Sequence, residues 1–321
     1  MTELNTKTIL VTCAAGFVGF HLAIHYLHAG FDVIGVDNPE AFDARDIRLQ
    51  RMEILAEKGV RIMSGDLACY DFAENVFARH LPRVVFHMAA RTNARDIDGG
   101  RLYRDNITAL GNVLLAARRN PPAHFLFASS SAVYGEHASR PFCEKDALTM
   151  PDNLYGASKF IGEQLARFQS SCGGLLITAV RLFNVYGPWG RRDMAPFYFA
   201  DCMSTGQPVT IFTGDAMRAW LYIDDAVSAC AALAALPPEN AAGFRAVNVA
   251  GPRLVRTMDA LHIIARVMNV SPRIVYAPPK IAEITSNPAD LELLRSLIGD
   301  VPRVSFEDGI GKFLQWYKET I

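Results

Sequence analysis

The 321-residue chain has no long apolar run, no excess of charge of either sign and no internal repeat. The longest apolar stretch, residues 226–238, is too short for a membrane span, which needs about 20 apolar residues. Lysine and arginine number 32 and aspartate and glutamate number 33, so the net charge of −1 disfavours nucleic-acid binding and polybasic membrane contact. Residues 1–7 are polar and contain no apolar region of a signal peptide. We therefore expect neither a nucleic-acid partner nor a membrane partner.

The six cysteines are scattered along the chain, with no C-x-x-C pair and no histidine cluster. This spacing is typical of reduced thiols in a cytoplasmic protein rather than of a disulfide framework. It also argues against a zinc site, so we expect no bound metal. Half of the residues are hydrophobic and a fifth are charged, which is the balance of a globular enzyme with a large core.

Short β-branched runs alternate with amphipathic stretches over the first 181 residues. This alternation predicts parallel βαβ units, and hence an α/β fold of Rossmann type with a doubly wound parallel sheet. The predicted strands are residues 8–12, 32–36, 60–64, 84–87, 125–129 and 175–181, and the predicted helices are 17–29, 47–58, 72–80, 103–119 and 155–171.

The alternation ends after Arg181, where glycine and proline turn residues appear between positions 187 and 190. A helix at 196–204, short strands and loops, and a final helix at 306–319 predict a smaller C-terminal α/β substrate-binding lobe. We assign residues 1–182, with about 221–250, to an NAD-binding Rossmann domain, and residues 183–220 and 251–321 to a discontinuous substrate domain.

The turn between the first strand and the first helix has the composition of a phosphate-binding loop. In Thr12-Cys-Ala-Ala-Gly-Phe-Val-Gly19, small residues allow a tight turn that brings the helix N-terminus against a pyrophosphate. Gly19 lets the helix pack closely on the strand. Cys13 stands where such turns usually carry their first glycine, so we expect either a non-glycine backbone conformation or a slightly shifted loop.

Two acidic residues follow the next strands. Asp37 ends the second strand, where a carboxylate accepts hydrogen bonds from a ribose 2′-hydroxyl and repels a 2′-phosphate. This favours NAD over NADP. Asp66 and Leu67, after the third strand, suit the adenine end of the same cofactor.

Tyr155 and Lys159 are spaced so that they share one face of a helix. A nearby ammonium lowers the pKa of a phenol, which can then take a proton from a sugar hydroxyl while a hydride leaves to NAD. Ser130 follows the fifth strand, where its hydroxyl can hydrogen-bond the same substrate oxygen. These three residues are the predicted catalytic group.

A series of short motifs extends over nearly the whole chain. They are the N-terminal turn, Gly65-Asp-Leu67, His87-Met-Ala-Ala90, Asn106, the serines at 129–131, the Tyr155/Lys159 pair and Val185-Tyr-Gly-Pro-Trp-Gly-Arg-Arg-Asp-Met-Ala195. With these motifs the chain resembles the extended short-chain dehydrogenase/reductase family, within it the nucleotide-sugar epimerases, and most of all the UDP-glucuronate 4-epimerases.

The resemblance implies NAD as cofactor, a nucleotide sugar as substrate and a role in polysaccharide biosynthesis. It implies that NAD contacts Gly16, Phe17, Val18, Gly19, Asp37, Asn38, Asp66, Leu67, Met88, Ala89, Ala90, Asn106, Tyr155 and Lys159. It implies that the substrate contacts Arg95, Ser131, Asn184, Arg191, Phe212 and Arg218, with Arg218 at the diphosphate, Phe212 against the uracil, and Arg191 and Arg95 facing the sugar.

Several reactions of nucleotide sugars share the formation of a 4-keto sugar as their first step. The residues after the predicted catalytic serine distinguish between them. By resemblance, 4,6-dehydratases and the related decarboxylases carry carboxylates where this chain has Ser131 and Ala132. An epimerase needs no further acid, so we expect a 4-epimerase that interconverts UDP-glucuronate and UDP-galacturonate. Two alternatives stay open: an oxidoreductase acting on another UDP-, GDP- or CDP-sugar, and a non-catalytic NAD-binding regulator.

The resemblance also implies a homodimer. Relatives in the family dimerise through the tyrosine-bearing helix and the helix before the fifth strand, which here are residues 155–171 and 103–119. Small residues on these helices fit either close packing between subunits or contact with the sheet; they are Ala109, Gly111, Ala116, Gly162 and Ala166.

Overall fold

The computed structural model describes residues 7–42, 46–92, 99–135, 140–148, 150–212, 216–240, 242–278, 286–299 and 302–321. Its strands are β1 (Thr8–Thr12), β2 (Asp32–Asp37), β3 (Arg61–Ser64), β4 (Val84–His87), β5 (His124–Ser130), β6 (Ile177–Leu182), β7 (Asn184–Tyr186), β8 (Val209–Ile211), β9 (Met217–Tyr222), β10 (Phe244–Val249), β11 (Leu254–Arg256) and β12 (Ile274–Tyr276). Its helices are α1 (Phe17–His28), α2 (Ile47–Glu57), α3 (Tyr70–His80), α4 (Gly99–Tyr103), α5 (Ala109–Arg119), α6 (Leu154–Gly173), α7 (Ala195–Ser204), α8 (Ile223–Ala234), α9 (Thr257–Met268), α10 (Glu292–Ile298) and α11 (Phe306–Thr320).

By their internal contacts the residues form two compact units. The first unit comprises Met1–Val133, Asn153–Arg181 and Cys230–Val247. The second comprises Tyr134–Asp152, Leu182–Ala229 and Asn248–Ile321. The predicted division into a cofactor domain and a substrate domain stays a prediction, and the units differ from it mainly at residues 134–152 and 221–229, which group with the second unit.

A seven-stranded sheet of order β10-β6-β5-β4-β1-β2-β3 organises the first unit. The pairs β1–β2, β2–β3, β1–β4 and β4–β5 are parallel. The strand order reverses between β1 and β4, which is the switch point where doubly wound sheets bind their ligands. The predicted Rossmann-type fold is therefore confirmed.

Local sequence signals fix where the helices begin. The Asp46 side chain accepts a hydrogen bond from the backbone N–H of Arg48 at the start of α2, 2.9 Å away. Asn153 caps α6 in the same way through the N–H of Gly156, at 2.8 Å. Because the Asn153 cap fixes the first turn of α6, it also fixes the position of Tyr155 in that turn.

The structure departs from the predicted elements at three places. A seventh strand, β10, joins the sheet beside β6. The predicted helix at 103–119 begins earlier, at Gly99, and is interrupted by a π-helical turn at Arg104–Thr108. Between Thr205 and Ser305, where short strands and loops were expected, the structure adds α8, α9 and α10.

The second unit contains a three-stranded sheet of order β11-β9-β7 and a two-stranded sheet of β12 and β8. Aromatic side chains fill the space beside the first of these sheets, where Tyr186 lies 5.1 Å from Phe306 between ring centroids and Trp220 lies 5.5 Å from Phe306. A Cβ at Gly309 would lie 2.1 Å from the Tyr186 hydroxyl. The α11 helix can therefore approach this aromatic cluster only with glycine at position 309.

A buried histidine joins three neighbouring strands of the first unit. Arg245 Nε donates to Thr178 Oγ1 at 3.0 Å, and Thr178 Oγ1 lies 2.9 Å from His124 Nε2. His124 Nδ1 lies 3.0 Å from the Ala234 carbonyl oxygen, so the neutral ring donates through Nδ1 and accepts the Thr178 hydroxyl through Nε2. Burial lowers the pKa of His124 to about 4, because a charged ring would lose hydration there.

This network predicts acid sensitivity. An unfolded histidine titrates near its ordinary pKa of 6.5, so the folded state binds fewer protons and stability falls as the pH drops from 6.5 towards 4. Between pH 7 and pH 5, we expect His124 to contribute a loss of about 2 kcal/mol in the free energy of unfolding. Urea unfolding at both pH values measures this loss. His124→Asn, which keeps a donor for Ala234, is expected to lose correspondingly less, and an equal loss in both proteins would contradict the assignment.

Candidate active site

The turn after β1 adopts a conformation that most residues avoid. Cys13 has a φ of +53°, which lies in the left-handed region that favours glycine. The N–H of Gly16 donates to the Cys13 carbonyl oxygen at 2.8 Å and closes the turn. The expectation of a non-glycine conformation at Cys13 is therefore wrong, because the cysteine takes the backbone conformation that a glycine would take; the alternative of a slightly shifted loop stays a prediction.

Gly16 and Gly19 leave no room for side chains in this turn. A Cβ at Gly16 would lie 2.3 Å from the Cys13 sulfur, and a Cβ at Gly19 would lie 2.1 Å from the Cys13 carbonyl oxygen. Gly16 is the N-cap of α1, and no acidic residue lies in the first turn of that helix. The backbone N–H groups at this helix start therefore suit the pyrophosphate of a dinucleotide.

Asp37 lies beside the same turn, at the carboxyl end of β2. Its two carboxylate oxygens accept hydrogen bonds from the N–H of Ala15, at 2.8 Å, and from the N–H of Asn38, at 2.9 Å. Arg51, on α2, donates to the Ala15 carbonyl oxygen at 2.7 Å and holds the loop from its other side. Burial raises the pKa of Asp37, and it also raises the pKa of the Cys13 thiol to about 12, so Cys13 is protonated at neutral pH.

The switch point of the sheet is held by a threonine and a histidine. Thr12 and His87 are register partners at the carboxyl ends of β1 and β4, and Thr12 Oγ1 lies 3.1 Å from His87 Nδ1. The same hydroxyl accepts from the N–H of Ala89 at 3.1 Å. Burial lowers the pKa of His87 to about 3, so the ring is neutral and accepts the Thr12 proton. Ala89, one of the predicted NAD contacts, is thus fixed to β1.

Two of the predicted catalytic residues, Tyr155 and Lys159, lie on α6, and Lys159 contacts strand β5, which ends in Ser130. Lys159 is buried, and its Nζ donates to the carbonyl oxygen of Ala128 at 2.7 Å and lies 5.9 Å from the centroid of the Tyr155 ring. Ser130 and Ser131, also nearly buried, follow Ala128 on the same chain segment. Burial lowers the pKa of Lys159 to about 7, and the negative charge of Glu163 opposes that decrease.

Asn106 lies inside the π-helical turn that interrupts the helix before β5. Its side chain accepts from the N–H of Arg91 at 2.7 Å and donates to the Arg91 carbonyl oxygen and to Ser158 Oγ, each at 2.9 Å. Ser158 in turn donates to the Tyr155 carbonyl oxygen at 2.7 Å. Asn106 therefore connects the segment after β4 to the first turn of α6, and π-turns of this kind are frequent at functional sites.

The remaining predicted cofactor contacts lie at the carboxyl ends of β2, β3 and β4. Asp66 forms an ion pair with Arg104 and accepts from the N–H of Ala68 at 2.8 Å. Leu67 and Met88 are buried, whereas Ala90 and Asn38 are half-buried. All of these residues, like the other predicted NAD contacts, belong to the first unit.

Most of the predicted substrate contacts belong to the second unit. Asn184 Oδ1 accepts from Asn287 Nδ2 at 2.8 Å, and Arg218 lies on β9 with its guanidinium 3.2 Å from the Met217 carbonyl oxygen. Arg191 pairs with Asp193 through two hydrogen bonds of 3.0 and 2.5 Å. Phe212 follows β8 and is half-buried, and Arg95 lies outside the described residues.

Sequence reasoning missed one buried group beside the predicted catalytic residues. Arg181, on β6, donates to both carboxylate oxygens of Glu163, at 2.9 and 2.7 Å, and Ser129 Oγ donates to the same carboxylate at 2.5 Å. Glu163 follows Lys159 at the same spacing by which Lys159 follows Tyr155. That continued spacing is the signal that could have identified it.

The described part of the chain has neither a metal-binding cluster nor a membrane-spanning helix. The residues that the structure describes contain no group of three or more histidine, cysteine, aspartate or glutamate side chains arranged to hold a metal ion. Nor do they contain a helix with both the length and the apolar character required to cross a membrane.

The profile of the NAD dependent epimerase/dehydratase family matches residues 9–250. The chain belongs to that family. UDP-glucuronate 4-epimerase 5 of Arabidopsis thaliana is 32% identical over 97% of the chain and 75% of its own length. A crystal structure of Bacillus cereus UDP-glucuronic acid 4-epimerase with UDP-glucuronic acid and NAD is 26% identical, with a TM-score of 0.89 over 98% of the chain and 100% of that chain.

A second solved structure, also of a UDP-sugar 4-epimerase with NAD, is similar to the chain over nearly its whole length. The UDP-glucose 4-epimerase of Thermus thermophilus in complex with NAD is 25% identical to the present protein, with a TM-score of 0.87. The match covers 98% of the present chain and 100% of the Thermus thermophilus chain. The predictions of the family, of an enzyme and of NAD as cofactor are confirmed. The reaction class, a nucleotide-sugar 4-epimerase, has the same support.

The residues of the first unit fit NAD. The glycines at 16 and 19 leave the space that a Cβ would fill, α1 offers its N-terminus, and the Asp37 carboxylate ends β2. In this family member, Gly16 to Gly19 would hold the pyrophosphate and Asp37 would accept from the adenosine ribose.

The strained turn gives a prediction. Glycine adopts the φ of Cys13 without cost, whereas any side chain costs on the order of 1 kcal/mol there. We expect Cys13→Gly to be more stable than Cys13→Ala by about that amount in urea unfolding, because both lack the sulfur and only alanine keeps the Cβ. We also expect Cys13→Gly to bind NAD as tightly as the natural protein or more tightly, as measured by calorimetry. A large loss of NAD affinity would show that the thiol itself takes part in binding.

Proposed function

We propose that the protein is a UDP-glucuronate 4-epimerase, which interconverts UDP-glucuronate and UDP-galacturonate. The observation that carries the proposal is the position of the Lys159 ammonium, which lies 5.9 Å from the centroid of the Tyr155 ring and donates to the carbonyl oxygen of Ala128, two residues before Ser130. The named substrate of its relatives in Arabidopsis thaliana and Bacillus cereus supports UDP-glucuronate as the first choice.

The side chains supply proton transfer and orientation. Tyr155 takes the proton from the 4-hydroxyl of the sugar, and Ser130 hydrogen-bonds the same oxygen. The Lys159 ammonium, anchored to the Ala128 carbonyl oxygen, stabilises the negative charge that forms on the Tyr155 phenol. Bound NAD supplies the hydride acceptor and donor. When the keto sugar turns and presents its other face, Tyr155 returns the proton and the product is the 4-epimer.

The residues after Ser130 favour epimerisation over elimination. Ser131 begins a short 3-10 turn, Ser131–Tyr134, and is nearly buried. The side chains at 131 and 132 are a hydroxymethyl and a methyl group, and neither can carry a proton to or from C6 of the sugar. A dehydratase step would need a carboxylic acid at this place.

The second unit supplies most of the residues proposed for the nucleotide sugar, whereas Ser131 belongs to the first and Arg95 lies outside the described residues. We assign Arg218 to the diphosphate, Phe212 to the uracil, and Asn184, Arg191, Ser131 and Arg95 to the sugar. Asp193 holds the Arg191 guanidinium in a planar, two-point pair, the geometry that also suits a sugar carboxylate. Arg191 can therefore exchange one carboxylate partner for another without a change in its own charge state.

The proposal is tested by incubating the purified protein with UDP-glucuronate and following the anomeric protons by NMR. We expect UDP-galacturonate to appear until a stable equilibrium is reached. Tyr155→Phe is expected to lower the turnover number by orders of magnitude while NAD still binds, because only the proton acceptor is removed.

Three other outcomes would each contradict part of the proposal. Equal activity of Tyr155→Phe would show that Tyr155 is not the base. Consumption of one NAD per sugar would indicate an oxidoreductase that releases the keto sugar. Tight NAD binding without turnover of any UDP-, GDP- or CDP-sugar would indicate a regulator.

The proposal includes two finer expectations, a cytoplasmic location and a homodimer. All six cysteines are free thiols, which fits a reducing compartment. The proposed dimer face consists of exposed apolar residues on the two helices named by the resemblance: Ile161 and Phe168 on α6 and Leu115 on α5. Ile161 and Phe168 lie two helical turns apart and so share one face of α6.

Most of the small residues on these helices pack inside the first unit and do not form the proposed dimer face. Ala109, Ala116 and Ala166 are buried within the first unit. A Cβ at Gly162 would lie 2.8 Å from the Phe127 ring and 3.0 Å from the Leu110 side chain. Four of the five small residues are therefore explained by packing inside the unit, and only Gly111 has open space around its Cβ position.

We expect Phe168→Glu to convert the dimer to a monomer, because a carboxylate replaces a ring that is 60% exposed in the single chain and would be covered in the dimer. Sedimentation velocity measures the change in mass. Met150→Glu is the matched control, since Met150 is even more exposed but lies on neither helix, and we expect it to leave the dimer intact. A natural protein that sediments as a monomer would refute this part of the proposal.

A further inference from the structure

The buried carboxylate of Glu163 has three donor atoms within hydrogen-bond distance. Arg181 Nε lies 2.9 Å from Oε1 and Arg181 Nη2 lies 2.7 Å from Oε2, so the ion pair is bidentate. Ser129 Oγ donates to Oε1 at 2.5 Å. Neither charged side chain is accessible to solvent. Isolated burial of either charge is strongly unfavourable, so each of the two residues requires the other.

These contacts bind helix α6 to the end of strand β5 at two successive residues. Lys159 Nζ donates to the carbonyl oxygen of Ala128, and Ser129 donates to Glu163 one helical turn further along α6. The next residue of β5 is Ser130. Tyr155, Lys159 and Glu163 follow each other at intervals of four residues and form one stripe on α6. The two anchors therefore fix the position of the helix stripe relative to Ser130.

Glu163 also belongs to the electrostatic surroundings of Lys159. The titratable groups that face Lys159 are Tyr155 and Glu163 on α6, Cys13 on the turn after β1, and His87 on β4. Cys13 is protonated and His87 is neutral at pH 7, so Glu163 is the formal negative charge in this group, and its partner Arg181 adds a positive charge on the far side of the ion pair. Burial lowers the pKa of Lys159 to about 7, and the attraction of Glu163 opposes that decrease.

We propose that Glu163, held by Arg181 and Ser129, is a positioning residue of the active site, which anchors α6 to β5 and places a negative charge one helical turn from the Lys159 ammonium. This inference rests on the proposed function, in which Lys159 must carry its proton. Glu163 lies two helical turns from Tyr155 along α6, so it acts through Lys159 and through the position of the helix.

The test measures the protonation of Lys159 directly. Protein labelled with ¹³C at the lysine ε-carbon is titrated by NMR with and without NAD, and the Lys159 signal is identified by its absence from Lys159→Arg. In Glu163→Gln we expect the midpoint of the Lys159 titration to move to lower pH by about one pH unit, because an attractive charge is lost and Arg181 keeps its own. The upper pH limit of the turnover number is expected to fall with it, while the KM for UDP-glucuronate is unchanged.

Two further variants separate charge from packing. Ser129→Ala removes a hydrogen bond of the same network but no charge, so we expect the Lys159 midpoint to stay at its natural value. Glu163→Gln combined with Arg181→Met removes both charges, and we expect a midpoint between those of the natural protein and of Glu163→Gln. The double variant also decides the question if Glu163→Gln alone does not fold, because a buried pair can be replaced by neutral side chains at little cost.

A Lys159 midpoint in Glu163→Gln equal to that of the natural protein would overturn the inference and leave Glu163 a purely structural residue; if Glu163→Gln does not fold, an unchanged midpoint in the double variant would do the same. Failure of the natural protein to epimerise UDP-glucuronate would instead count against the proposed function. The two failures are distinguishable, because the titration needs no turnover.

Discussion

The parallel pairing of β1 with β4, in the register that sets Thr12 against His87, is the constraint on which the site of the first unit depends. At this point the strand order reverses, and the chain segments that leave β1 and β4 diverge. The Thr12 hydroxyl joins the two strands by contacting both His87 and the N–H of Ala89. A shift of β4 by one residue would move the His87 side chain to the opposite face of the sheet, away from Thr12, and would separate the phosphate turn from the Ala89 segment.

Helix α6 carries the second part of the site and is fixed by different forces at its two ends. The Asn153 cap sets where the helix begins, and the contacts of Lys159 and Glu163 with β5 set its position on the sheet. The Asn106 amide reaches the same helix through Ser158. Charged and amide side chains in a nearly dry environment are costly unless every partner is present, so this arrangement specifies one position for Tyr155.

The sequence predicted those features that depend on local pattern. Strands β1 and β4 lie where β-branched runs predicted them, and Gly16, Asp37, Tyr155 and Lys159 occur at spacings typical of a dinucleotide-binding fold. Features that depend on contacts between residues far apart in the sequence could not be predicted from local pattern. The pairing of Glu163 with Arg181 joins a helix and a strand, and the π-helical turn around Asn106 has no signature in the pattern of apolar residues. Cys13 shows the limit of residue preferences, because closure of the turn imposes a left-handed backbone on a residue that disfavours it.

The edge strand β10 has a consequence for the order in which the chain is assembled. The sheet of the first unit takes β1 to β6 from residues 8–182, but its seventh strand comes from Phe244–Val249, after a large part of the second unit has been synthesised. A nascent chain that emerges from the ribosome therefore exposes the backbone groups of β6 until residue 249 is available to cover them. An uncovered edge of this kind is a template for pairing with other chains. Vectorial synthesis thus places the period of greatest aggregation risk between the completion of β6 and the arrival of β10.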